Sequence, residues 1–170
     1  MRLIDALLTL ATSERGVESW EPFDLAQLTE DIVHSRRHDA ERHGVQIEAT
    51  FDEAQAIGDP GLVASLVANL LDNAIRHNVA DGAATISTAA TPDGARLTVS
   101  NTGAVVPLVE VERLFQPFQR LGDQRVAPAD GHGLGLAIVK AIATAHGANL
   151  TARPGPRGGL DVQVTFRASA

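Results

Sequence analysis

The run Asn69-Leu70-Leu71-Asp72-Asn73-Ala74-Ile75-Arg76-His77-Asn78 holds the residues best suited to chemistry. Asn69, Asn73 and Arg76 fall at i, i+4 and i+7, so on a helix two carboxamides and a guanidinium share one face. Carboxamide oxygens suit a hard cation that keeps several waters, as magnesium does beside phosphates, and an arginine can fork onto phosphate oxygens. The same spacing also describes a solvated helix face, so the run needs context. Gly131-His132-Gly133-Leu134-Gly135-Leu136 supplies it. Glycines opening a helix let backbone N–H groups approach an anion where the helix dipole favours negative charge. A dinucleotide fingerprint fits weakly, because it needs two residues between its second and third glycines and a strand just before. Here one residue intervenes, and Val126-Ala127-Pro128-Ala129-Asp130 does not read as a strand.

Composition narrows the field further. Fourteen Lys plus Arg face 21 Asp plus Glu, a formal net charge of -7 that argues against a nucleic-acid binder held by phosphate neutralisation. With 44% hydrophobic and 21% charged residues, the 170-residue chain has the balance of a soluble globular domain with an appendage. The absence of cysteine removes disulfides, zinc-thiolate sites and thiol nucleophiles together. Lys140 is the only lysine and no Gly-Lys-Ser/Thr ending occurs. Phosphate handling must therefore rest on arginine and backbone amides rather than a Walker loop. No apolar run approaches the roughly 18 to 20 residues that span a bilayer, and the N-terminus lacks signal-peptide order, so the chain reads as soluble.

The elements that must position these residues follow from periodicity. Residues 2–13 predict a helix that is apolar nearly all round and needs a partner. Residues 15–22 read as a linker. Asp24 reads as an N-cap, with Gln27 completing a capping box and Phe23 and Leu28 a hydrophobic staple, for a helix to about His43 that Gly44 ends. Val45 to Phe51 and Ala56-Ile57 predict strands. From Gly61 to about Asn78 the apolar residues recur at helical spacing, so the asparagine run rides on a buried helix. Ala84 to Ala90 and Arg96 to Asn101 predict a hairpin across Pro92-Asp93-Gly94. Residues 104–132 lose periodicity, a loop length that is usually functional. Gly133 is expected to open a helix to about His146, and two strands, Asn149 to Arg153 and Gly159 to Arg167, follow across a Pro/Gly-rich turn. Mixed order without strict alternation predicts an α+β two-layer sandwich, a mixed sheet covered by about three helices plus the short N-terminal one.

Four stretches together resemble, in order and spacing, the N, G1, F and G2 boxes of bacterial sensor histidine kinases of two-component systems, within the GHKL ATPase superfamily. They are Asn69 to Asn78, Val99-Ser100-Asn101-Thr102-Gly103, Phe115-Gln116-Pro117-Phe118-Gln119-Arg120, and Gly131 to Leu136. The resemblance covers roughly residues 24–168. It implies an ATP-binding catalytic domain over 24–170 with a lid over about 104–132, a linker at 15–23, and at 1–14 the end of a dimerisation helix. It also implies ATP and magnesium as ligands, with Asn73 on the metal, Asn69 as a neighbouring asparagine facing metal or phosphate, and Arg76 and Arg120 on the phosphates. His77 falls beside the nucleotide, and Gly103 with Val105 in the G1 box. Phe115 and Phe118 anchor the lid, and Gly131, His132, Gly133, Leu134, Gly135 and Leu136 form the phosphate side and lid hinge. Implied partners are the dimerisation and phosphoacceptor domain of the same kinase and a response regulator. The parent is expected to be a membrane-resident homodimer with this domain in the cytoplasm.

Two residues depart from the family pattern. Asn101 stands where an aspartate usually meets the adenine amino group, and Val105 replaces the second G1 glycine. The expectation at this level is weaker nucleotide affinity that Asn101→Asp tightens, with a flipped Asn101 amide able to donate to guanine O6. The phosphoacceptor histidine is absent: His34, His38, His43 and His146 lack its context, so the chain alone is expected to bind nucleotide without autophosphorylating. A nucleotide-binding module without kinase activity is the alternative. The F box and the N-terminal apolar helix argue against an anti-sigma-factor kinase or gyrase-type ATPase. His34 and His38, with Glu30 and Glu41 nearby, lack a third fixed metal ligand and read as a solvated face. His132 is expected to be exposed, and Trp20 to be a packing anchor.

Overall fold

The computed structural model describes residues 3–120 and 132–169. In chain order its elements are α1 (Leu3–Glu14), β1 (Glu21–Asp24), α2 (Leu25–Arg42), β2 (Gln46–Phe51), β3 (Gln55–Gly58), α3 (Pro60–Arg76), β4 (Ala83–Thr91), β5 (Gly94–Asn101), α4 (Leu108–Leu114), α5 (Gly135–Ala145), β6 (Asn149–Pro154) and β7 (Leu160–Phe166). The main sheet runs β2-β4-β5-β7-β6, with β2 and β4 parallel and every other pair antiparallel. Alternation along its strands puts Ile86, Leu97, Val99, Val162, Val164 and Phe166 in the core. Thr85, Ser87, Thr98, Ser100, Gln163 and Thr165 stay half-exposed on the opposite face. That one-sided pattern is how a largely antiparallel sheet meets water. Helices α2, α3 and α5 cover the apolar face side by side, which is the expected two-layer α+β sandwich.

The helix that carries the asparagine run has the strongest local specification. The Asp59 side chain accepts from Leu62 N–H at 3.0 Å as N-cap, and Pro60 occupies the first turn, where its missing donor costs nothing. Val63, Leu66, Val67, Leu70, Leu71, Ala74 and Ile75 are buried, each large side chain contributing about 1.5–3 kcal/mol. With that stripe fixed against the sheet, the rotation of α3 is fixed too, and so is the direction in which Asn73 and Arg76 face.

His146 joins the far ends of two helices. Its Nδ1–H donates to Ile142 O at 2.8 Å and its Nε2 accepts from Asp59 N–H at 3.0 Å, so a fully buried imidazole is satisfied as the neutral Nδ1–H tautomer. Trp20 and Phe166 meet the ring edge-on, each with centroids at 5.8 Å, which makes Trp20 the packing anchor expected of it. The α1 helix lies on α5 through buried Ala6 and Ser13.

Several expectations from local pattern give way to tertiary structure. Glu21 and Pro22 leave the supposed linker to pair, in β1, with Gly58 and Ile57 of β3. Gln27 forms no capping box and donates to Asp31 at 3.1 Å, while Asp24 caps alone through Ala26 N–H at 2.9 Å. Residues 108–114 form α4, whose single pair of buried residues, Val111 and Leu114, is too short a pattern to register as periodicity. The hairpin tightens to Pro92-Asp93 because Gly94, at φ +134, lies where a Cβ would overlap Phe166 O. Replacing His146 by alanine opens a cavity and orphans the Asp59 amide. We expect a loss of about 2–4 kcal/mol in unfolding free energy at unchanged m-value, read by urea denaturation.

Candidate functional site

The end of α3, the end of β5 and the start of β4 meet with little room for side chains, and short polar groups satisfy the backbone there. Asn78 donates to Ala74 O at 3.0 Å and Ala83 O at 2.9 Å, while its oxygen accepts from Val79 N–H at 2.9 Å and the Thr102 hydroxyl at 2.6 Å. Thr102 in turn accepts from Ala83 N–H at 2.9 Å. Asn101 is buried, with Nδ2 donating to Thr102 O at 2.7 Å and, over a longer 3.4 Å, to His77 O. Its Oδ1 accepts from Leu160 N–H at 3.3 Å, so the carboxamide connects α3, β5 and β7.

The β6–β7 loop closes the same corner, a role that the sequence reading of a plain turn missed. Gly159 N–H donates to Ala104 O at 2.8 Å and Gly155 N–H to Gly159 O at 2.9 Å. Gly158 and Gly159 take φ of +78 and +66, and a Cβ on Gly158 would overlap the Gly103 carbonyl oxygen. The available signal was Gly155, Gly158 and Gly159 within five residues, more glycine than a hairpin requires.

Opposite this corner lies the start of α5. Helix begins at Gly135 rather than Gly133, because Gly133 sits at φ +69 and its carbonyl accepts from Phe118 N–H at 2.9 Å. The F-box and glycine segments are thereby joined; Gly131 and the centre of the expected lid lie outside the described residues. The N-cap Leu134 makes no side-chain cap bond, leaving the first-turn amides available to an anion. Gly135 brings this turn against α3, where a Cβ would stand 3.3 Å from Asn69 Oδ1. Leu134, Leu136 and Phe115 bury their side chains, so only their backbone can meet a ligand. His132 is exposed as expected, and Phe118 and Val105 are 64% and 82% exposed.

Between these walls runs the polar face of α3. Asn69 is buried and donates to Ser65 O at 2.7 Å. Asp72 turns aside to Arg36 Nε at 2.8 Å, a bridge from α3 to α2. Asn73 is half-buried, and among the described residues its carboxamide has no hydrogen-bond partner, in contrast to Asn69, Asn78 and Asn101. Arg76 is exposed and has no carboxylate partner among the described residues. No group of three or more His, Cys, Asp or Glu that could hold a metal occurs among the described residues, and His38 stands 4.0 Å from Glu41 on an open helix face. The oxygen open to a cation on this face is that of Asn73, and a magnesium ion held beside phosphates, which keeps most of its waters, would need no more than one or two such protein oxygens.

Solvent reaches His77, yet its pKa is held below the ordinary histidine value, first by partial desolvation and then by the charges of Arg76 and Arg120. Arg76 and Arg120 thus both lie near enough to His77 to disfavour its protonated form. Because the folded chain binds the His77 proton more weakly than the unfolded chain, its contribution to stability is present above the ordinary histidine pKa and lost as pH falls below it. Arg76→Ala should raise the His77 titration toward its ordinary value, and so should a bound polyphosphate. Proton NMR of the imidazole Hε1 against pH reads both, and an unmoved midpoint contradicts the placement of the arginines.

The family model described as histidine kinase-, DNA gyrase B-, and HSP90-like ATPase matches residues 58–170. Sensor protein CutS of Streptomyces coelicolor is 39% identical over 165 residues, covering 96% of this chain and 40% of CutS. The signal transduction histidine-protein kinase BaeS of Escherichia coli is 30% identical over 166 residues, covering 96% of this chain and 36% of BaeS. This chain therefore spans well under half the length of these relatives. Among solved structures, the mycobacterial sensor histidine kinase MprB superposes with a TM-score of 0.75 at 25% identity, over 89% of this chain and all of that one. Full-length ShkA in complex with AMPPNP gives 0.80 at 24% identity, over 99% of this chain and 36% of that one, a likeness of fold. The chain belongs to the histidine kinase-, DNA gyrase B- and HSP90-like ATPase family, and the relatives that it resembles over nearly its whole length include a sensor protein and a signal transduction histidine-protein kinase.

Proposed function

We propose that this chain binds Mg-ATP and donates the γ-phosphoryl group to a histidine on the dimerisation and phosphoacceptor domain of its parent kinase, for onward transfer to a response regulator. The observation that carries the reading is the half-buried Asn73 carboxamide, unpartnered among the described residues, one helical turn beyond Asn69, which meets the uncapped start of α5, and one turn before Arg76. Magnesium, when held there, neutralises phosphate charge. The chain's own residues do the positioning. The α5 amides receive phosphate oxygens at the positive end of the helix dipole, and Arg76 and Arg120 add guanidinium donors. Asn69, tied back to Ser65, holds the floor of the site next to Gly135. The acceptor imidazole is itself the nucleophile: its nitrogen bonds to phosphorus as the bond to the β,γ-bridging oxygen breaks, and ADP departs. Catalysis by this chain is then orientation and charge stabilisation with no covalent enzyme intermediate.

The chain spans under half of its relatives, so the parent's homodimerisation, membrane residence and regulator belong to this proposal. Among the described residues no helix is long and apolar enough to cross a membrane. The test is a calorimetric titration with ATP and with GTP, each with and without magnesium, followed by transfer from labelled ATP to an added phosphoacceptor domain. ATP binding that depends on magnesium and weakens at least about tenfold in Asn73→Ala is expected, with transfer only when the acceptor is supplied. Binding without transfer supports the module without kinase activity, and no binding of either nucleotide contradicts the proposal.

A further inference from the structure

The Asn101 carboxamide is surrounded by groups that fix which end is which. Its nitrogen faces two carbonyl oxygens, Thr102 O at 2.7 Å and His77 O at 3.4 Å, and its oxygen faces the Leu160 N–H at 3.3 Å. Rotating the amide by half a turn would set oxygen against two oxygens and N–H against N–H, so the orientation is determined by the network. Both amide hydrogens are directed at backbone, and only an oxygen lone pair remains. The surroundings admit no bulk that could relax a misfit: a Cβ on Gly159 would stand 2.6 Å from Asn101 Nδ2, and one on Gly103 would stand 3.1 Å from it.

We infer that Asn101 is a positioning residue, a neutral clamp on the end of α3, the end of β5 and the start of β7, and that a carboxylate in its place weakens nucleotide binding. This rests on the nucleotide-binding reading and deepens it, and it reverses the expectation that aspartate at this position tightens ATP. In Asn101→Asp, an ionised oxygen replaces the donor and faces two carbonyls in a buried corner. The clamp opens, and the wall formed by residues 101–104 and 155–160 separates from α3. A protonated aspartic acid carries an O–H again and can donate to Thr102 O, so the damage is reversible by acid. The charged and titratable groups around the position are His77 at the end of α3, Asp161 on β7, which is neutralised by Arg153 of β6 at 2.6 Å, and Arg157 in the loop between those strands. His77, Arg153, Arg157 and Asp161 are present in wild type and variants alike, and Asn101→Leu, which adds no carboxylate, reads their own contribution at each pH.

The experiment measures Mg-ATP affinity and the nucleotide-free melting temperature of the 170-residue chain, wild type against Asn101→Asp, from pH 7.5 down to 5. The near-isosteric Asn101→Leu serves as a variant that cannot be rescued. Asn101→Asp is expected to bind about tenfold more weakly than wild type at the upper pH. That gap should close as pH falls, while Asn101→Leu stays weak throughout. The melting temperature of Asn101→Asp should approach that of wild type over the same pH range, because the folded state now binds the extra proton more tightly. Tighter binding by Asn101→Asp at pH 7.5, a deficit independent of pH, or wild-type affinity in Asn101→Leu overturns the clamp. If wild type itself binds no ATP, the nucleotide reading fails, and the clamp stands or falls on the acid rescue of melting alone.

Discussion

Backbone polar groups in a crowded corner must find partners without water, and in this fold that requirement governs everything built around it. Three chain segments distant in sequence converge where α3 ends, β5 ends and the β6–β7 loop turns. Ordinary side chains do not fit there, so the segments carry glycines at Gly82, Gly103, Gly158 and Gly159, with Asn78, Asn101 and Thr102 supplying the missing donors and acceptors. Each unpaired buried amide or carbonyl would cost about 1–3 kcal/mol, so the small polar residues are as much part of the architecture as the apolar stripe. The corner, once satisfied, positions the last turn of α3 and therefore Asn73 and Arg76.

A second constraint acts from the other side. The start of α5 approaches α3 closely because Gly135 has no side chain to press on Asn69, and His146 locks the opposite end of α5 to the N-cap of α3. The two helices are thus tied at both ends of their contact. Further along the same face of α3, one carboxamide and one guanidinium lack side-chain partners among the described residues, and the start of α5 lacks a side-chain cap. Asn69, Asn78 and Asn101 all tie their carboxamides to backbone, so among the described asparagines of this corner Asn73 is the one left to face a ligand, and the proposed function rests on that contrast.

Legibility in the sequence followed the range of the interaction. The α3 helix was readable residue by residue, because its cap, its proline and its stripe are all local, and the asparagine run rode on it. The sheet strands and the Gly44 and Gly147 helix ends were readable for the same reason. The β1 strand was not, since Pro22 spoils its local pattern and its pairing with β3 is made across 30 intervening residues of sequence or more. The α4 helix hid inside a proline-bearing segment with only Val111 and Leu114 facing inward. Among the candidate site residues, Asn69, Asn73 and Arg76 announced themselves through type and spacing, whereas Arg120 came only with the family resemblance. The role of Gly158 and Gly159 did not, because it depends on Gly103 and Ala104, more than 50 residues away. Asn101 was visible as a departure, but its meaning lay in three backbone groups that only the fold brings to it.

The most direct test of this account is amide hydrogen exchange on the chain with and without Mg-ATP. The converging-corner architecture predicts that nucleotide slows exchange together in four separate segments: the end of α3 through Asn78, residues 101–104, the first turn of α5, and residues 155–160. Protection confined to α3 and α5, with the G1 and β6–β7 segments unchanged, would contradict it.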